Sequence, residues 1–280
     1  MLTRKKRDEQ EETDVADSVL YEIEDGLATL TINRPEAMNA LDTATKVALR
    51  DAAADAAENP AVRAVLLTGA GDRAFCVGQD LKEHVHNLEA AKQTGEPALS
   101  TISEHYNPLV TALATMRKPV VAAVNGVAAG AGAALAWACD FRILAAHGGF
   151  NTSFAGVALT ADSGASWTLP RLVGHAKATE LLMFPQTVKA EEALALGLTN
   201  RVVPGAELAD TARAFARGLA DGPTVAFGAI KSSLAYGASH SLVETLAKED
   251  ELQTLAGASA DHHIAVQAFL AKEAPRFTGR

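Results

Sequence analysis

The chain has 280 residues, 48% of them hydrophobic, so it can bury a substantial core without a disulfide or metal staple. Its formal net charge of −9 excludes a general nucleic-acid surface, because phosphate binding needs clustered Lys and Arg that displace counterions. Two cysteines, Cys76 and Cys139, stand in apolar segments without paired spacing, which excludes a disulfide framework and points to a reducing compartment, the cytoplasm.

Residues 1–17 are charged and nearly free of large apolar groups, so ordering them would cost chain entropy with little burial in return; a disordered tail is expected. Arg4-Lys5-Lys6-Arg7 is followed by Asp8-Glu9-Gln10-Glu11-Glu12 where an export signal would need an apolar stretch. Residues 19–24 and 27–33 read as two strands joined at Asp25-Gly26, a favoured hairpin turn. Asp42 can cap an Ala-rich helix that Asn59-Pro60 stops. Residues 62–68 form a continuous apolar run closed by Gly69-Ala70-Gly71-Asp72, the pattern of a strand buried on both faces. Residues 83–105 are polar and contain Gly95-Glu96-Pro97, which predicts a mobile connection. The strand grammar then recurs: a strand over 119–124, a small-residue turn over 126–132, a helix over 133–139, and strands over 141–145 and 149–154. From about residue 209 the spacing is helical, over 211–220, 225–235, 242–256 and 262–273. The longest apolar stretches, 120–124 and 128–138, fall short of the roughly 20 residues of a membrane span. The expected architecture is α/β, with a core over 18–208 and a helical C-terminal region over 209–280 for oligomerisation or as a lid.

Three segments can carry chemistry. Val124-Asn125-Gly126-Val127-Ala128-Ala129-Gly130-Ala131-Gly132 joins a buried strand to a helix through small residues. Such a turn either permits close packing of helix on sheet or presents free N–H groups to a developing anion. The glycine spacing matches neither G-x-G-x-x-G nor a phosphate-binding P-loop. Phe75-Cys76-Val77-Gly78-Gln79-Asp80-Leu81 is a second strand end turning at glycine, and it offers the N–H of Gln79. Cys76 lacks a base nearby in sequence and reads as core rather than nucleophile. His84 and His86 do not share a helix face; they are solvated or line a pocket mouth. In the third segment, residues 150–172, Asp162 is the only carboxylate. It is open to two readings, an N-cap for a helix over 163–169 or a partly desolvated base among Phe154, Leu159 and Trp167, where burial raises a carboxyl's pKa.

Together these segments resemble the crotonase superfamily of enoyl-CoA hydratases and isomerases, from about Val19 to Phe277. The likeness is carried by Asn33-Arg34-Pro35, Met38-Asn39-Ala40-Leu41, Leu66-Leu67-Thr68-Gly69, Phe75-x-x-Gly78-x-Asp80-Leu81, Lys118-Pro119-Val120-x-Ala122-x-Val124-Asn125-Gly126 and Ala138-Cys139-Asp140. The resemblance implies a ClpP-like spiral of repeated ββα units with a helical C-terminal region, assembled as a homotrimer or dimer of trimers. It implies an acyl-CoA thioester as substrate, with no metal and no added cofactor, and an oxyanion hole at the Gln79 and Ala131 N–H groups. CoA contacts fall by position on Glu36, Ala37, Met38, Gly78, Asp80 and Leu81, and on Lys231 and Phe277 toward the nucleotide end, often from a neighbouring subunit. Phe154, Leu159, Trp167 and His84 would line the acyl pocket. The hydratases of this family hold one water between two glutamates, whose places here are Ala134 and Phe154. Ala161-Asp162-Ser163-Gly164-x-Ser166-Trp167-x-Leu169-Pro170-Arg171 is similar instead to the branch of 1,2-epoxyphenylacetyl-CoA isomerases and Δ3-Δ2 enoyl-CoA isomerases, implying a single acidic proton shuttle at Asp162. The alternatives are a hydratase, hydrolase or lyase of the same fold that draws a second acid from Glu83 or His84, and a non-catalytic CoA-ester binding protein.

Overall fold

The computed structural model describes residues 17–95 and 99–280. The expected tail lies outside the described residues apart from Asp17, as do residues 96–98 of the expected connection. The chain opens with a hairpin, β1 (Val19–Glu24) and β2 (Leu27–Ile32), turned at Asp25 and Gly26, both at positive φ as the Asp-Gly pair predicts. In α1 (Thr43–Glu58) the side chain of Asp42 accepts the Thr45 N–H at 2.8 Å and caps the first turn. β3 (Ala64–Gly69), β4 (Ala74–Cys76) and α2 (Leu81–Thr94) follow, then α3 (Asn107–Thr115), β5 (Val120–Val124), β6 (Val127–Ala129) and α4 (Ala131–Ala138). β7 (Phe141–Ala145), β8 (Gly149–Asn151), α5 (Ala165–Val173), α6 (His175–Met183), β9 (Val188–Lys189), α7 (Ala190–Ala195) and β10 (Arg201–Val203) complete the strand-bearing part. Four helices close the chain: α8 (Leu208–Ala220), α9 (Thr224–Gly237), α10 (Leu242–Gly257) and α11 (Ala260–Ala271).

β3-β4-α2, β5-β6-α4 and β7-β8-α5 are successive copies of one ββα unit. The first strand of each copy enters a six-stranded sheet in the order β1-β2-β3-β5-β7-β10, and the second enters a smaller sheet in the order β4-β6-β8-β9. Pairing is parallel except for β1 with β2 and β8 with β9, so the chain advances as a spiral, one strand per sheet per turn.

The continuous apolar runs hide an alternation. Val65, Leu67, Val120, Ala122, Val124 and Leu144 face one core, while Ala64, Leu66, Val121, Ala123, Ile143 and Ala145 face a second core sealed by α8. α8 contributes Leu208, Ala212, Ala216 and Ala220, a stripe at four-residue spacing. Each large apolar side chain so withdrawn from water stabilises the fold by about 1.5–3 kcal/mol.

Three expectations are corrected. The small-residue turn over 126–132 contains β6, which pairs with β4 and β8 because the second sheet needs a strand from every spiral turn. The strand expected over 149–154 stops at Asn151, whose side-chain oxygen accepts from the Ser153 N–H and hydroxyl, each at 2.9 Å, and folds the chain into a turn. Most of the segment expected as a mobile connection is α2. Asp80 caps that helix by accepting from the N–H groups of Lys82 and Glu83, and Gly95, at φ +76°, ends it.

Candidate active site

β4 ends at Cys76, and the chain turns at Gly78, whose φ of +83° suits glycine. The Gly78 carbonyl accepts the Leu41 N–H at 2.8 Å, and the Asp80 N–H donates to the Leu41 carbonyl at 3.1 Å. A trans peptide points its N–H opposite its C=O. The Gln79 N–H therefore faces away from Leu41, and it has no acceptor among the described residues. On the neighbouring turn, Gly130 donates to the Asn151 carbonyl at 2.9 Å and leads into α4. Ala131 is the first residue of that helix, so its N–H has no partner within the helix, and none elsewhere among the described residues. The two turns touch: a Cβ placed on Gly78 would stand 3.1 Å from the Ala131 nitrogen, and one on Gly132 would collide with the Cys76 carbonyl. Two unpaired N–H groups thus meet on adjoining turns at the positive end of the α4 dipole, an arrangement suited to an oxyanion. Cys76 lies fully buried beneath them, and burial pushes its thiol up to about 12, so it behaves as core.

Asp162 lies on the irregular segment between a short turn at Ala155–Val157 and α5. It is not the expected N-cap: α5 starts at Ala165 after Gly164, with no side-chain cap, and the Ala165 N–H bonds instead to the Asp162 main-chain carbonyl at 2.9 Å. Ser163 and Gly164, both at positive φ, displace the helix start by two residues. Among the described residues the half-buried carboxylate has one side-chain partner, the Ser163 hydroxyl, which donates to it at 2.9 Å. Burial raises the Asp162 carboxyl above the ordinary range, and the Ser163 bond opposes this only in part. Burial above all raises the Tyr106 hydroxyl beyond the ordinary tyrosine range, and the Asp162 and Glu83 carboxylates add to it.

Ala134 is fully buried and Phe154 nearly so. Leu159 is 40% and Trp167 50% exposed, and the Trp167 ring carries the Arg171 guanidinium at 4.0 Å, so these two sit at an open edge and not in the core around Asp162.

The side chain of Gln79 is held by residues that the sequence reading missed. Lys46 Nζ donates to Gln79 Oε1 at 3.0 Å, to Thr101 Oγ1 at 2.8 Å and to Glu83 Oε1 at 3.4 Å. The Tyr106 hydroxyl donates to the same Gln79 Oε1 at 3.0 Å. Lys46 is 1% exposed, and burial lowers its ammonium below the ordinary lysine range against the opposing pull of Glu83. A signal was available, since Lys46 interrupts the α1 stripe that continues as Leu49, Ala53 and Ala56. Glu83 also accepts the Thr43 N–H at 2.8 Å and the Thr43 hydroxyl at 2.9 Å, so its carboxylate is committed to the start of α1. His84 is half-buried on α2 and His86 is exposed.

The CoA-assigned residues of the N-terminal half come together. Pro35–Ala37 form a short turn carrying Glu36 and Ala37, and Met38 follows in the left-handed region. Arg34 ties this turn to the head of α2: its guanidinium bonds Asp80 at 3.1 Å, Asp42 at 3.1 Å and the Ala40 carbonyl at 2.6 Å. Burial opposes ionisation of Asp80, but the Glu83 N–H, Arg34 and the Lys82 N–H together hold its carboxyl below the usual range. Leu81 is 62% exposed beside it. Lys231 and Phe277 are engaged elsewhere. Lys231 Nζ donates to Asp140 and to the Leu113 carbonyl, both at 2.9 Å, and the Phe277 carbonyl accepts from Arg63 at 3.2 Å. Among the described residues no cluster of His, Cys, Asp and Glu is placed to hold a metal, and no helix is long and apolar enough to cross a membrane.

The profile of the family described as enoyl-CoA hydratase/isomerase matches residues 22–280. The 1,2-epoxyphenylacetyl-CoA isomerase of Escherichia coli (strain K12) is 41% identical over 262 residues, covering 94% of this chain and 98% of that protein. A "Probable enoyl-CoA hydratase" of Rhodobacter capsulatus is 44% identical over 266 residues, with 94% and 98% covered. The crystal structure of an enoyl-CoA hydratase from Bacillus anthracis superposes with a TM-score of 0.85 at 30% identity, covering 94% of this chain and all of that one.

Proposed function

The chain belongs to the enoyl-CoA hydratase/isomerase family of the crotonase superfamily, and from that premise we propose that it is an acyl-CoA isomerase with one acidic proton shuttle. The observation that carries this reading is the pairing of the half-buried, raised carboxyl of Asp162 with Ala134 and Phe154 where hydratase glutamates would stand. In the proposed cycle the Asp162 carboxylate removes a proton from the carbon alpha to the thioester. The electron pair moves onto the thioester oxygen, which the N–H groups of Gln79 and Ala131 stabilise. Asp162, now a carboxylic acid, returns the proton to the gamma carbon, and the double bond shifts by one position. A raised pKa suits both halves, since the same group must take up and give back one proton in each cycle.

The substrate is a CoA thioester and no added cofactor is needed. Its nucleotide end lies, in this reading, along the turn of Glu36, Ala37 and Met38 and the head of α2 at Asp80 and Leu81. Self-association as a trimer or dimer of trimers is supported by apolar side chains left uncovered on the C-terminal helices: Leu234, Leu242, Val243, Phe269 and Leu270 are each at least 69% exposed. Hydratase activity is the second reading, favoured by the name of the 44% identical relative. It needs a second acid, and Glu83 is held by Thr43 and Lys46.

The test is a panel on the purified protein: conversion of 3-enoyl-CoA to 2-enoyl-CoA, hydration of 2-enoyl-CoA, and deuterium exchange at the alpha carbon. Isomerisation faster than hydration is expected. Faster hydration overturns the isomerase assignment, and binding without exchange or turnover makes the chain a CoA-ester binding protein.

A further inference from the structure

The turn that presents the Gln79 N–H has a weakness. Gly78 lies at φ +83°, and a glycine there leaves its neighbouring peptide free to rotate between orientations that would be closed to other residues. The Leu41 bridge holds the backbone of this turn through the Gly78 carbonyl and the Asp80 N–H. On the other side the anchor is the Gln79 carboxamide, and every polar atom of that carboxamide is engaged. Its oxygen accepts from Lys46 Nζ and Tyr106 OH, both at 3.0 Å, while its nitrogen stands 3.5 Å from the Asp80 carbonyl and from Glu83 Oε1. Lys46 has donors only, so it fixes which end of the amide faces it. Its three N–H groups are used by Gln79 and Glu83, which flank the start of α2, and by Thr101 farther along the chain. Lys46 is 1% and Tyr106 2% exposed, so neither is offered to solvent as an ordinary surface polar group. An ammonium withdrawn from water at this depth is costly unless fully partnered, and here one of its partners is the residue that supplies half of the oxyanion hole.

We propose that Lys46 and Tyr106 are positioning residues that, by donating together to Gln79 Oε1, hold the Gly78–Gln79 peptide with its N–H turned toward the substrate carbonyl. This rests on the assignment of the Gln79 N–H to the oxyanion hole. Neither residue touches the reacting atoms. Their effect reaches the thioester through one peptide, so it falls on carbonyl polarisation and not on capture of the CoA moiety.

The variants are Lys46→Met, which keeps the length of the stem, Tyr106→Phe, which removes only the hydroxyl, Gln79→Met, and the double variant Lys46→Met with Gln79→Met. In Lys46→Met the Glu83 carboxylate keeps both Thr43 bonds and its exposure to water, so no charge is stranded. Two readouts apply: alpha-carbon deuterium exchange of butanoyl-CoA per folded site, and the infrared stretching frequency of a carbon-13 thioester carbonyl in bound butanoyl-CoA. The expected result is a loss of exchange of about ten- to a hundredfold in Lys46→Met, the scale of a small misplacement in an active site. The carbonyl downshift shrinks in parallel, affinity for free CoA stays within about twofold, and Tyr106→Phe shows a smaller change in the same direction. The double variant is no worse than the worse single variant, because both act through one carboxamide. An unaltered carbonyl frequency in Lys46→Met and Tyr106→Phe, or losses that multiply in the double variant, overturns the proposal. If Lys46→Met fails to fold, Tyr106→Phe decides it by the same frequency. A wild-type protein that binds butanoyl-CoA with no carbonyl downshift refutes the oxyanion-hole assignment itself, and this inference with it. A downshift present in wild type and retained in the variants refutes the inference alone.

Discussion

Replacing Asp162 with Asn separates the base from the scaffold. Asn keeps the size of the side chain, and its Oδ1 can still accept the Ser163 hydroxyl, now at 2.9 Å. The backbone turn into α5 is unaffected, because the Ala165 N–H bonds to the main-chain carbonyl of residue 162. What disappears is the proton acceptor, so isomerisation should fall by about two to four orders of magnitude, the usual contribution of general acid–base catalysis. Stability should move the other way. Burial raises the folded-state pKa of Asp162, so between the unfolded value, about 3.9, and the folded one the native protein binds the proton more tightly, and stability falls as pH rises through that window. Asn carries no such penalty. Its advantage should be absent in acid below the unfolded pKa and fully developed above the folded one. It should be no larger than about 1 kcal/mol, because the carboxylate is only half-buried and keeps a hydrogen bond. For a chain of this size that is about 2 °C in Tm. The assays are initial rates of 3-enoyl-CoA conversion and thermal melts in acid and at neutral pH. A variant that isomerises at the wild-type rate refutes the base assignment; one that is inactive and also unstable at neutral pH refutes the claim that residue 162 has no capping role.

Other outcomes follow from the same geometry. Ala131→Pro removes one donor at a helix first position that tolerates proline, so turnover should drop by about a hundred- to a thousandfold in a folded protein; near-normal turnover would take the Ala131 N–H out of the hole. In wild type, turnover should rise with pH through an apparent pKa above the ordinary carboxylate range and follow the titration of Asp162; a flat profile across that range contradicts an Asp162 base. Gly132→Ala drives a methyl into the Cys76 carbonyl, so a loss of about 1–3 kcal/mol is expected from overpacking, read as a lowered denaturant midpoint, and an unchanged midpoint would mean the two turns are farther apart than described. Sedimentation at micromolar concentration should give a mass above the 29.1 kDa of one chain, while a monomer would leave Leu234, Leu242, Val243, Phe269 and Leu270 in water without a partner.

Features whose physics is local were legible before any coordinates. Asp42 capping α1, Asp25-Gly26 turning the first hairpin, and the apolar runs that became β3, β5 and β7 each follow from residues within a few positions of one another. The two glycine-bearing turns could be read as donors of free N–H groups, and Asp162 as the only acid in its segment. Tertiary structure decided the rest. Which side of each doubly buried strand faces which core depends on α8, more than 60 residues beyond the last of β3, β5 and β7. β6 is three residues long and exists because β4 and β8 flank it, not because its own sequence favours a strand. Whether Asp162 caps α5 was settled by the backbone conformations of Ser163 and Gly164. The Gln79 N–H is free because Leu41, 38 positions earlier, takes the opposite face of the same peptide, and Lys46 is buried because Gln79, Glu83 and Thr101 converge on it from 33, 37 and 55 residues away. A charged side chain is exposed by default; only partners that folding brings together can replace the water it loses.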